Sequence, residues 1–251
     1  LQTEPPSVAA VLWLGASFLF LLGLLDDRRQ IKPQTKLVGQ ILAAAIVVFF
    51  GFRLNWFTSL TLDTMVTLFW IIGITNAYNL LDNMDGLCAG IALIAAFYLF
   101  FLLSPVSGAG SLSALALAGA LAGFLVYNFK PASIFMGDCG SLVVGFSLAV
   151  LTLVFTEARA ANPLSVYAVP ILIQLVPIFD TTLVSTIRIL SGRKASQGGR
   201  DHTSHRLVLI GFSERSAVLF LYLATAVTGV SAVFVSRTDT LTSPAVIIPL
   251  L

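Results

Sequence analysis

Charge spacing constrains this chain more than any other feature. Runs without Asp, Glu, Lys or Arg cover residues 5–25, 37–52, 64–81, 86–129, 139–156, 160–179 and 216–236. A helix needs about 20 mostly apolar residues to cross a bilayer core ~30 Å thick. The run 86–129 is long enough for two crossings, with Ser104-Pro105-Val106-Ser107-Gly108-Ala109-Gly110 as its turn. The pattern predicts an all-α, polytopic membrane bundle of eight spans, one domain over residues 1–251. Residues 240–251 are too short to cross alone. The composition agrees: 57% hydrophobic and 10% charged residues, where soluble domains carry roughly 25% charge. This excludes a disordered chain and an ordinary soluble enzyme. Cys88 and Cys139 lie beside apolar runs, so no structural disulfide is expected.

Eight crossings put the loops 26–36, 82–85, 130–138 and 180–215 on one side. They carry eleven of the fourteen Lys and Arg; Arg53, Arg159 and Arg237 fall on the other. The positive-inside rule makes the eleven-charge side cytoplasmic and places the N-terminus outside. The first span lacks a basic leader region and runs directly into Asp26-Asp27-Arg28-Arg29, so it does not read as a signal peptide. The chain opens without Met and ends within an apolar stretch, and truncated ends are expected.

Eight of the twelve acids share the cationic side: Asp26, Asp27, Asp82, Asp85, Asp138, Asp180, Asp201 and Glu214. Acids contribute little to topology, and at a span end they need pairing or a metal. Four motifs frame them. Asp26-Asp27 are adjacent carboxylates whose repulsion favours a proton acceptor, and which could equally hold a cation or form a solvated span end beside Arg28. Asn76, Asn79, Asp82 and Asp85 recur every three residues. One straight helix would not converge all four, so the helix should end or bend near 83–86. Phe135-Met136-Gly137-Asp138-Cys139-Gly140 opens the sixth span. Its glycines would let backbone approach a ligand, its free N–H groups suit phosphate, and Asp138 suits Mg²⁺. The plainer reading makes Asp138 an N-cap. Asp201-His202-Thr203-Ser204-His205-Arg206-Leu207 lies in a basic loop suited to pyrophosphate or to anionic lipid heads. Asp180 reads equally as a functional acid or as a buried structural acid paired with an Arg.

In this order and on one face, the four motifs resemble the polyprenyl-phosphate N-acetylhexosamine-1-phosphate transferases, in particular the bacterial branch that transfers N-acetylglucosamine-1-phosphate. The ending at 201–207 is unlike the triple-His ending of the phospho-N-acetylmuramoyl-pentapeptide branch. Two positions depart from the pattern: Asn83, usually Gly, and Ser204, usually His. Family members have more spans, so the resemblance implies that one or two N-terminal spans and an early cytoplasmic lysine lie outside this sequence, and it allows a further span at the C-terminus.

The resemblance implies transfer of a sugar-1-phosphate from a UDP-N-acetylhexosamine to polyprenyl phosphate, with release of UMP. It implies Mg²⁺, with Mn²⁺ as a substitute, on Asp138 and Asn79. Asp26 or Asp27 would act on the acceptor phosphate and Asp82 would support the metal shell. Asp85 would read the uracil edge, near Asn128, and Phe135 would stack on the ring. His202, His205 and Arg206 would hold the pyrophosphate and sugar. The implied setting is a bacterial plasma membrane with the site facing the cytoplasm. The bilayer is a partner, nucleic acid is not, and a homodimer is allowed. Rival classes fit less well. A transporter should show a repeat and mid-bilayer polar groups, and a zinc peptidase a His-Glu-x-x-His helix; the sequence has neither.

Overall fold

The computed structural model describes residues 7–157, 163–193, 199 and 201–238. Within them lie ten helices and no strand: α1 Val8–Arg29, α2 Pro33–Phe49, α3 Leu60–Leu81, α4 Leu87–Leu103, α5 Gly108–Asn128, α6 Gly137–Glu157, α7 Pro163–Ile173, α8 Leu175–Leu190, α9 Thr203–Leu209 and α10 Glu214–Arg237. Five of these (α1, α3, α5, α6 and α10) are long and apolar enough to cross a membrane. The α7–α8 pair makes a sixth candidate, bent by 70°. The shorter apolar helices α2 and α4 occupy the second and fourth expected spans. The protein is a multi-pass membrane protein. The expected turn at 104–110 is present, with Ser107 capping α5 through the Gly110 N–H. Both cysteines are free.

Helix α6 forms the middle of the bundle, packed by α1, α3, α4, α5 and α7. Its side chains from Val144 to Thr156 are buried all round, as expected of a helix that is apolar on every face. Polar groups inside the bundle are matched in pairs. Trp70 donates its indole N–H to Thr152 at 3.0 Å, and Tyr78 donates its hydroxyl to Gln174 at 2.8 Å. Gln40 and Asn76 exchange amide hydrogen bonds between α2 and α3. Without water in the bilayer core, such matching is needed.

The seventh span differs from its expected form. The charge pattern ends it at 179, followed by a loop over 180–215. Instead the helix breaks at Gln174 and continues through Asp180 to Leu190. Pro177 has no N–H for the Ile173 carbonyl, which breaks the ladder at this point. Asp180 and Arg188 do not stop the helix because each is matched, Asp180 by His202 and Arg188 by Asp201. Much of the remaining basic loop, including Lys194 and Arg200, lies outside the described residues, as do 158–162 with Arg159 and the segment 240–251.

At one end of the bundle, the buried Asp63 accepts from the backbone N–H groups of Asn55, Trp56 and Phe57, which closes the α2–α3 connection. The opposite end gathers the C-termini of α1, α3 and α5, the starts of α2, α4, α6 and α10, and helix α9. The four acidic motifs meet here.

Candidate active site

The centre of this end is Lys36, at the start of α2. Its ammonium lies 2.8 Å from Asp26 Oδ2 and also contacts Asp138 Oδ2. Asp26 is held in turn by the Ile31 N–H at 2.8 Å. Asp138 Oδ1 accepts from the Asn79 amide at 2.8 Å, and the same amide reaches Ser141. Three of the four motifs are thereby joined through side chains. In the sequence Lys36 reads only as a topology charge, and the lysine that the resemblance implies lies outside this chain. Its neighbours along the chain, Gln34, Thr35, Leu37 and Val38, carry no chemical signal.

The adjacent carboxylates Asp26 and Asp27 serve different partners. Asp27 crosses to α6 and accepts the N–H groups of Asp138 at 2.8 Å and Cys139 at 3.1 Å. The amides expected to be free for phosphate are therefore capped by this carboxylate, and Asp138 is not its own helix's cap. Two glycines permit this. At Gly23 a Cβ would sit 2.5 Å from Cys139 Cα, so only glycine lets α1 approach the start of α6 so closely. At Gly137 the backbone takes φ +63, and a Cβ would lie 2.8 Å from Asp27 Oδ2. Gly140 has another use than the one expected: it faces Met136 and makes room for that side chain.

Helix α3 ends at Leu81, with Asp82 as its C-cap, and the chain turns through Gly86 before α4. The expected break is present, and it sends the acids apart. Burial, then the nearby charge of Asp138, pushes the Asp82 carboxyl up to about 6; a backbone hydrogen bond from Gly137 partly opposes this. Asp85 leaves the cluster and accepts from the Ala132 N–H at 3.1 Å. Asn128 is buried and bonded on both sides, accepting from Gly86 N–H and donating to the Ile134 carbonyl. These contacts fasten the 129–136 loop to the α3–α4 turn. Phe135 stands out from that loop, 77% exposed.

The fourth motif reaches the site through α9. His202 is buried and its Nδ1 lies 2.7 Å from Asp180 Oδ2, while Thr203 N–H donates to Asp180 Oδ1 at 2.7 Å. The partner of Asp180 is thus a histidine, not the expected arginine. Arg188 and Arg193 pair instead with Asp201 and hold its carboxyl below the usual range. His205 is half-buried on α9, and the exposed Arg206 donates to the Asp201 carbonyl. Between α3, α8 and α10 lies an apolar cavity of about 610 Å³ whose wall includes Leu81, Phe179, Asp180, Thr203 and Phe220.

Asp26 and Asp138 contact one ammonium, and Asp27 and Asp82 lie near Asp138, a local excess of negative charge. Among the described residues, no three His, Cys, Asp or Glu side chains converge as a complete ligand set. Oxygen donors on Asp138, Asp82 and Asn79 still suit Mg²⁺, which takes one or two carboxylates and completes its shell with phosphate and water.

Fold and site together define a multi-pass membrane protein with an acidic centre at one end of the bundle. The chain belongs to glycosyl transferase family 4, whose model matches residues 9–156, more than half of its length. It is 37% identical over 233 residues to a "Probable undecaprenyl-phosphate N-acetylglucosaminyl 1-phosphate transferase" of Bacillus subtilis, covering 88% of this chain and 64% of that protein. A decaprenyl-phosphate N-acetylglucosaminephosphotransferase of Mycobacterium leprae is 35% identical over 243 residues, covering 85% and 61%. A phospho-N-acetylmuramoyl-pentapeptide-transferase of Limosilactobacillus reuteri is 36% identical over 182 residues, covering 59% and 56%. The chain therefore spans about three fifths of the length of the curated relatives it matches.

Proposed function

We propose that the parent protein transfers N-acetylglucosamine-1-phosphate, or a close N-acetylhexosamine relative, from a UDP-sugar to a polyprenyl phosphate such as undecaprenyl phosphate, and releases UMP at the cytoplasmic membrane face, starting a lipid-linked envelope glycan. The observation that carries this reading is the convergence of Asp26, Lys36, Asn79 and Asp138 at the cation-rich end of a membrane bundle. The printed names of the Bacillus and Mycobacterium relatives support the sugar and the acceptor.

In this reading an oxygen of the acceptor phosphate attacks the β-phosphorus of the UDP-sugar. The bond from that phosphorus to the bridging oxygen breaks, and UMP leaves. Asp26 orients the acceptor phosphate or takes its proton, and Lys36 offsets the charge of the meeting anions. Asp27 sets the start of α6, and with it Asp138. Asp138 and Asn79, with Asp82 in support, would hold Mg²⁺, which would supply charge neutralisation of the donor pyrophosphate. The apolar cavity beside Asp180 suits part of the polyprenyl tail. Phe135 and Asp85 take the uracil, and His202, His205 and Arg206 the pyrophosphate and sugar end.

A second reading, transfer of phospho-N-acetylmuramoyl-pentapeptide, is favoured by the Limosilactobacillus relative. Competition between UDP-N-acetylglucosamine and UDP-muramoyl-pentapeptide in the full-length parent separates the two. Preference for the pentapeptide donor would overturn the first.

A further inference from the structure

The sequence departs from the resembled pattern at Asn83 and Ser204, and the structure puts these two residues in contact. Ser204 donates its hydroxyl to Asn83 Oδ1 at 2.7 Å, across 121 residues of sequence. The Asn83 amide is fixed from its other side, since its Nδ2 donates to the Leu80 carbonyl at 2.8 Å. That bond turns the carbonyl oxygen toward α9. Ser204 is 1% exposed, so its hydroxyl has exchanged water for this one acceptor. Asn83 follows Asp82 directly, and Ser204 lies between His202 and His205.

We propose that Asn83 and Ser204 form one positioning pair, which fixes the His202–Arg206 segment against the acidic turn at 82–86. The inference rests on the proposed transfer reaction. There the donor pyrophosphate spans both segments, so their separation decides whether the two halves of the site act on one molecule. Misplacement by about 1 Å in such a site can lower turnover by orders of magnitude. Asp180 anchors His202 and Thr203 to α8; the Asn83–Ser204 bond supplies the second anchor, toward α3 and α4.

The test is a double-mutant cycle in the full-length parent: Asn83→Ala, Ser204→Ala and both together. All three break the same bond. Each single variant should lower kcat for UMP release by about tenfold with the donor KM within about twofold, and the double should fall no further than the worse single. Ser204→Thr, which keeps the hydroxyl, should recover most of the loss. Hydrogen exchange of the amides at 204–207 should rise equally in all three alanine variants. Single variants that keep wild-type kcat, or a double that loses the product of the single effects, would overturn the pair. A parent that releases no UMP from any UDP-sugar would instead refute the transfer reaction. The exchange cycle would then decide the pair by itself, with additive rises counting against it.

Discussion

Asp27 caps a helix that begins 110 residues further along the chain: its two carboxylate oxygens receive the N–H groups of Asp138 and Cys139 at 2.8 and 3.1 Å. The cap fixes the first turn of α6, and Asp138 lies on that turn. Asp27→Ala should therefore lower stability by about 1 kcal/mol, the usual effect of losing a cap. It should also lower turnover, because Asp138 is no longer held. Thermal melting in detergent, alongside UMP release, tests this. Unchanged melting with abolished turnover would make Asp27 a purely chemical group.

Lys36 lies between Asp26 and Asp138, and replacing it exposes the two carboxylates to each other. Lys36→Met should lower turnover by at least about tenfold, since the charge offset near the reacting phosphates is lost. It should destabilise the fold at pH 7 more than at pH 4, because protonation relieves the new repulsion. Equal destabilisation at both pH values would mean that Lys36 contributes packing alone.

Asp82 gives a pH signature. Its folded-state value of about 6 lies above the ordinary 3.8, so the folded protein binds this proton more tightly than the unfolded chain does. Its contribution to stability is unfavourable in full above about pH 6, shrinks as pH falls between 6 and 3.8, and is gone below that. Asp82→Asn removes the ionisation and should raise the melting temperature at pH 7.5 but not at pH 4, while lowering turnover. Melting curves at the two pH values decide it; the same difference at both would remove the role of burial.

Most spans were legible in the sequence because charge is expensive in a bilayer: five of the eight expected spans became helices long and apolar enough to cross, 160–179 falls on the bent α7–α8 pair, and α2 and α4 are shorter than the expected crossings. The turn at 82–86 was legible as well, since four polar residues at a spacing of three cannot converge on one side of a straight helix. Lys36 was not, because a lone lysine on a cationic face looks like a topology signal until folding brings Asp26 and Asp138 to it. Nor were the cap from Asp27 and the Asp180–His202 pair. Several partners of suitable charge lie along the sequence, and the choice among them is made by helix packing: by Gly23 at the α1–α6 approach and by the break at Gln174.

The proposed membrane orientation rests on the partition of Lys and Arg. Ser133, on the exposed loop at the candidate site, and Thr58, at the other end of the bundle, are each suited to a single introduced cysteine in a Cys139→Ser background. In sealed right-side-out vesicles an impermeant reagent should label position 58 and leave 133 until the vesicles are opened. Labelling of both from one side would contradict the bundle, and reversed labelling the cytoplasmic site.

The central claim, that Asp138 holds charge for a metal-assisted phosphoryl transfer, is tested most directly by Asp138→Asn. Asn keeps the shape and can still meet Asn79 through its own amide, and the cap of α6 comes from Asp27, so the fold should persist. The measurement is Mg²⁺-dependent UMP release by the full-length parent from UDP-N-acetylglucosamine and polyprenyl phosphate, with folding checked by thermal melting in detergent. The predicted result is a loss of roughly two orders of magnitude or more in turnover with the melting transition retained. Near-normal turnover in a well-folded Asp138→Asn protein would contradict the account.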